Sequence, residues 1–180
     1  MAATERTAIH DFSDPFPDGM HLCYIFNDDD ERARTMARFL AKSLGSRQKV
    51  LHIVDTVAPQ HYHTELASEG IDSAARSTDI VTLDNETAYC PGGNFDPVAL
   101  LEGAMSFCRH ATGEEGYSGA RVCGDMSWVV RKQLPLADLM SYETKVNHYV
   151  RLAPCTAICE YDARRFDGST LMDVLRTHPA

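Results

Sequence analysis

Two carboxylates stand where chemistry could be done. Glu143 shares a helical stripe with Leu136, Leu139 and Met140, and Asn147 falls one turn further on. A carboxylate on a buried face needs a partner or takes up a proton. In an apolar pocket its pKa can rise toward working pH, which suits a general base. A structural hydrogen bond, to Arg131 or to a backbone N–H, accounts for it equally well. Asp125 closes an apolar segment, Ala120–Asp125, that runs into Met126-Ser127-Trp128. It is the other candidate acid or base.

Histidine and cysteine offer a second chemistry. His21 and Cys23 are two apart in an extended segment, so both face one side. A nucleophile with its base, or a ligand pair, could be so placed; a packed thiol beside one hydrogen-bonded histidine is the commoner arrangement. His61-x-His63 is another pair of unspecific spacing. Cys155 and Cys159 cannot share one ion if extended, because four residues span roughly 13 Å. No compact zinc spacing occurs, and no CxxC or CxxCH. A metal or haem centre therefore has only weak candidates: His21, Cys23, His61 and His63. There is no GxSxG elbow and no Walker lysine.

These residues must be positioned by a strand–helix alternation that begins at Met20–Gly45. His21–Phe26 reads as a strand covered on both faces. Asp28 can cap the following helix, with Glu31 completing a capping box. Ala33, Met36, Ala37, Leu40 and Leu44 form its apolar stripe, and Gly45 its left-handed stop. The first strand-to-helix turn is where an α/β fold cradles phosphate. Here it holds Asn27 and three aspartates, with no glycine and no lysine. No nucleotide is expected, and the cofactor is left unassigned.

Further strands are expected at 49–54, 79–84, 120–125 and 156–161. Helices are expected at about 61–69, from Pro97 to about Thr112, from Pro135 to Val150, and from a Ser169 cap with Leu171, Met172 and Leu175 inward. Residues 85–94 read as a loop. Residues 1–19, rich in turn chemistry, read as a flexible leader, and 20–180 as one domain. The alternation predicts an α/β fold with a mainly parallel central sheet and helices on both faces. Ligands of such sheets bind beyond the C-terminal strand ends. That edge gathers Tyr24, Asp28, Tyr89, Asp125, Met126, Trp128 and Tyr161, with Glu143 from a helix. Aromatic, thioether and carboxylate groups together have the composition of a small-molecule pocket.

Composition narrows the classes. The chain has 180 residues and a formal net charge of −9, which argues against broad nucleic-acid binding. No window approaches the roughly 20 apolar residues of a membrane span, and the first residues lack a signal-peptide pattern. Six cysteines without close pairing read as free thiols in a cytoplasmic protein.

The segments HLCYIF, KVLHIV, FDPVALLEGA, GYSGARVCGDMSW, YETKVN and ICEYDARRFDG…LMDVLRTHP, in this order, resemble the MEDS domain. This is a sensory domain of methanogen and methylotroph regulators named partly for DcmR. The likeness spans about residues 18–179. Gly124–Trp128 and Cys159–Asp162 carry it most specifically, although the family usually has Glu where this chain has Asp125. The family is similar to a RecA/KaiC-like core without a functional P-loop, in keeping with the acidic turn at 27–30. The resemblance implies sensing of a small molecule or hydrocarbon derivative rather than turnover. Family relatives often carry a DNA-binding or kinase-like domain, as in transcription regulation; this chain, carrying neither, is expected to act alone, as a fragment, or through a protein signalling partner. Homo-oligomers are compatible with it. The alternatives are an enzyme using Asp125 or Glu143, and the His/Cys metal or haem sensor.

Overall fold

A computed structural model describes residues 16–90 and 93–178. Five strands, β1 (His21–Phe26), β2 (Gln48–Val54), β3 (Ile80–Asp84), β4 (Gly119–Asp125) and β5 (Cys155–Asp162), form one parallel sheet in the order β1-β5-β4-β2-β3. The inner position of β5 is why all its residues are buried. β1 is an edge strand, and Cys23, Tyr24 and Ile25 are only half-buried, so it is not covered throughout as the sequence suggested.

Helices α1 (Asp29–Gly45) and α2 (Pro59–Ser68) cover one face. Their Met36, Leu40, Tyr62 and Leu66 meet Leu22, Val50, Cys123 and Ile158 of the sheet. Helices α4 (Pro97–Gly113), α6 (Leu136–Tyr149) and α7 (Gly168–Thr177) cover the other. There Leu101, Leu139, Val146 and Val174 meet Leu51, Ile53, Ala157 and Cys159. Alternate residues of each strand thus serve different cores, as a two-sided parallel sheet requires.

Local chemistry departs from the sequence reading at several points. The left-handed residue after α1 is Arg47, at φ 55°, and Gly45 is still helical. Residues 85–94 contain a short helix, α3 (Asn85–Ala88), capped by Asp84 through the Thr87 N–H. A second short helix, α5 (Ser127–Arg131), follows β4 directly. α6 ends at Tyr149, and Val150 begins a 3-10 turn. Asp167, not Ser169, caps α7 by accepting from the Thr170 N–H at 2.9 Å. Met172 and Leu175 lie outward, and Val174 is the buried residue.

For residues 1–15 the leader reading lies outside the described residues. Residues 16–19 are pinned instead. Phe16 packs on Phe39, Arg121 donates to Asp18 at 2.9 Å and to the Phe16 carbonyl at 2.9 Å, and the Gly19 N–H donates to the Cys155 carbonyl.

Candidate functional site

The eight residues expected at one edge separate into three groups. Tyr89, Met126, Trp128, Glu143 and Tyr161 do converge, inside the core between the sheet and α4–α7. Trp128 stacks on Tyr89 at 4.8 Å and touches Phe95 at 4.9 Å. Gly124 makes room for this, because a Cβ there would overlap the Tyr89 hydroxyl. Tyr24 alternates to the opposite face, near Phe26. Asp28 caps α1, and Asp125 ties two loops together. Asp28 accepts from the Glu31 N–H at 2.7 Å. Asp125 accepts from the Thr56 N–H and hydroxyl at 3.0 and 2.7 Å, and from the Ser127 N–H at 2.9 Å. Both oxygens of Asp125 are thus engaged in holding the β2 exit to the start of α5.

Glu143 has no contact with Arg131, which pairs with Asp55 and Glu86. Its Oε1 accepts a hydrogen bond from the Tyr161 hydroxyl. Its Oε2 lies 3.1 Å from His21 Nε2 and 3.4 Å from His178 Nε2. Cys159 Sγ is 3.3 Å from the same His21 nitrogen. His21, Glu143, Cys159 and His178 are all buried, and each offers an atom within 4.8 Å of the others. The pieces come from β1, α6, β5 and the residue that follows α7. The pairing of Cys23 with Cys159 across β1 and β5 sets His21 beside Cys159. His63 donates to or accepts from Ser73 on α2's side, and His61 is exposed, so neither takes part. Cys23 lies nearby but outside the group.

The electrostatics follow from burial. Desolvation raises the Glu143 carboxyl, but His21, His178 and the Tyr161 hydroxyl outweigh it, so the group stays below the usual carboxylate range. Burial, reinforced by His21, pulls His178 down to about 4 against the opposing pull of Glu143. Burial and then Glu143 push the Cys159 thiol well up. Cys23 is pushed to about 12 for the same reasons.

Cys159 also belongs to the wall of an apolar cavity of about 40 Å³ between the sheet and α4 and α6. Tyr89, Leu101, Met105, Tyr142, Val146 and Ala157 are among the other residues of its wall. A cavity and a buried polar cluster therefore meet at one side chain.

The profile of the MEDS family, "MEthanogen/methylotroph, DcmR Sensory domain", matches residues 20–179. The chain belongs to the MEDS family. Among solved structures, the MEDS chain is similar to the flagellar accessory protein FlaH from Methanocaldococcus jannaschii. That match has a TM-score of 0.60 and 12% identity, and covers 93% of this chain and 71% of that one. At that identity the likeness concerns the fold: a parallel α/β sheet wrapped by helices. No curated protein matches the MEDS chain in sequence. No helix among the described residues is long and apolar enough to cross a membrane. At the first turn of this MEDS domain, α1 presents Asp29, Asp30 and Glu31 behind the Asp28 cap, a charge pattern that repels phosphate.

Cys159 and His178 were not foreseen as site residues. Cys159 reads in sequence as a small hydrophobe in a strand, and His178 follows the last helix with no motif around it. Only the register of β1 on β5 and the docking of α7 on α6 bring them together.

Proposed function

We propose that this MEDS domain is a cytoplasmic regulatory module that binds a small, mainly apolar molecule and signals through a protein partner. The observation that carries this reading is the cavity beneath α4 and α6. It is apolar, lies against the sheet, and shares Cys159 with a fixed polar cluster. Pockets that recognise small molecules combine an apolar lining with a few placed polar groups. Its volume of about 40 Å³ suits a molecule of only a few non-hydrogen atoms, since one water needs about 10–15 Å³ on this measure.

The domain carries its own reporter. Trp128 is the single tryptophan and stacks on Tyr89, which lines the cavity. Titration with a panel of small hydrocarbon derivatives should shift Trp128 emission saturably for at least one compound class. Ala157→Val adds two methyl groups to the cavity wall and should abolish that response while the circular dichroism is retained. Saturable binding that survives Ala157→Val would refute this location.

A further inference from the structure

We infer that His21, Glu143, Cys159 and His178 form a four-coordinate site for a divalent transition-metal ion of the zinc class. The argument starts from proton accounting. A backbone carbonyl can only accept. His178 Nδ1 lies 2.8 Å from the Val174 carbonyl, so Nδ1 carries the proton and Nε2 presents a lone pair. Asn147 Nδ2 donates to the Thr177 carbonyl at 2.6 Å, which fixes the amide with Oδ1 toward His21. That oxygen, 3.1 Å from His21 Nδ1, takes the Nδ1 proton; an uncharged His21 then presents an Nε2 lone pair, whereas its imidazolium, the form that lowers Glu143, donates from Nε2 toward Glu143 Oε2.

With both rings uncharged, two imidazole lone pairs point at one carboxylate oxygen, Glu143 Oε2. The Cys159 thiol can donate to His21 Nε2 at 3.3 Å. Nothing donates to the other pair. Glu143 Oε2 and His178 Nε2 are both buried without a hydrogen-bond partner, acceptor facing acceptor at 3.4 Å. Such an arrangement lacks a positive centre.

A metal ion supplies it. Each histidine is already held by its Nδ1 on a carbonyl oxygen, the arrangement that orients imidazole ligands in metal sites. Tetrahedral bonds of 2.0–2.3 Å put ligand atoms about 3.3–3.8 Å apart. The contacts of 3.1, 3.3 and 3.4 Å, with every pair inside 4.8 Å, need only small adjustments to meet that. On binding, the Cys159 thiol loses its proton to solvent. The thiolate and the Glu143 carboxylate then cancel a 2+ charge, so the filled site is neutral inside the core. Two nitrogens, one thiolate and one carboxylate suit zinc, cobalt or ferrous iron better than magnesium or calcium. The ion would tie β1, β5, α6 and the end of α7 together. This inference stands apart from the cavity ligand, and either can fail without the other.

The test uses the whole chain. After chelator treatment it is titrated with Co²⁺ and, separately, Zn²⁺. One equivalent of Co²⁺ should give tetrahedral d–d bands and a thiolate charge-transfer band. Zn²⁺ should displace it and raise Tm. Cys159→Ser should remove the charge-transfer band, and His178→Gln should weaken uptake; His178 lies past the last helix, so this variant tests the site if the strand variant fails to fold. Asn147→Leu, a positioning change, should weaken affinity about ten- to hundredfold. His61→Ala should change nothing. A folded wild type that takes up no Co²⁺, or uptake whose spectrum is indifferent to Cys159→Ser and His178→Gln, overturns the assignment.

Discussion

Replacing Glu160 by glutamine removes a charge from the middle of the fold, on the face opposite the proposed metal site. Glu160 is fully buried on β5. Its carboxylate lies 2.7 Å from His52 Nε2 and 3.8 Å from the Arg32 guanidinium, which is 3% exposed. Arg32 also reaches Glu65 at 2.9 Å, near the surface. Burial alone would lower the Arg32 pKa, and Glu160 and Glu65 together raise it above its ordinary value. At an effective dielectric of about 20, opposite charges some 4 Å apart attract by about 4 kcal/mol. Glu65 retains part of the stabilisation of Arg32, so the expected loss is about 3 kcal/mol, at the low end for breaking a buried pair. In a chain of this length that lowers Tm by about 6–12 °C. Urea unfolding followed by Trp128 emission and circular dichroism measures it. The double variant Arg32→Met with Glu160→Leu should recover most of the loss, because neither charge is then buried. A Glu160→Gln loss below about 1 kcal/mol, or a double variant no better than the single one, would refute the reasoning.

Gly124→Ala should destabilise strongly and disturb the environment of Trp128, since the new methyl overlaps the Tyr89 hydroxyl; near-ultraviolet circular dichroism reads this directly. Asp28→Ala should cost about 1 kcal/mol as a lost helix cap and leave any ligand response of Trp128 unchanged, whereas a binding residue would move both. The five buried cysteines should react slowly with a thiol reagent in the native protein and promptly in denaturant: burial holds Cys123 and Cys159 well above the ordinary thiol range, and the Cys108 contact, then burial, does so for Cys155. Acid should destabilise the fold through Asp162 and Asp29. Burial opposes the Asp162 anion, but Arg164 and Arg165 outweigh it, and Arg164 likewise lowers Asp29. A carboxylate depressed in the folded state contributes above its unfolded pKa of about 3.9 and loses that contribution as pH falls through the folded value. Urea midpoints should therefore drop below about pH 4, and Arg164→Gln should flatten that dependence.

The class of fold was legible because parallel strands buried on both faces must be apolar nearly throughout, and the helices between them must be amphipathic. KVLHIV, ICEY and the α1 stripe satisfy both conditions locally. The acidic character of the first turn was legible as well, because Asp28, Asp29 and Asp30 are consecutive in the chain and their charge at a helix start disfavours an anion there. Other features needed three dimensions. Whether β1 was an inner or an edge strand depended on strand order, which periodicity does not encode. Glu143 was visible as a buried carboxylate, but its partners were not. They lie 122 positions before it on β1, at His21, and 35 after it, at His178.

Asp125 and Tyr24 show the converse. Residue type and position at a strand end made them look like pocket walls, and the pleat and the neighbouring loop decided otherwise. Tyr24 points to the other face because side chains alternate, and Asp125 meets the Thr56 N–H because β2 and β4 are neighbours. Sequence alone determined the alternation of elements and the sign of the charge at the first turn, since both depend on residues close together in the chain. Tertiary structure decided which buried polar groups meet, because a hydrogen bond or a metal ligand set is fixed by strand register and helix docking.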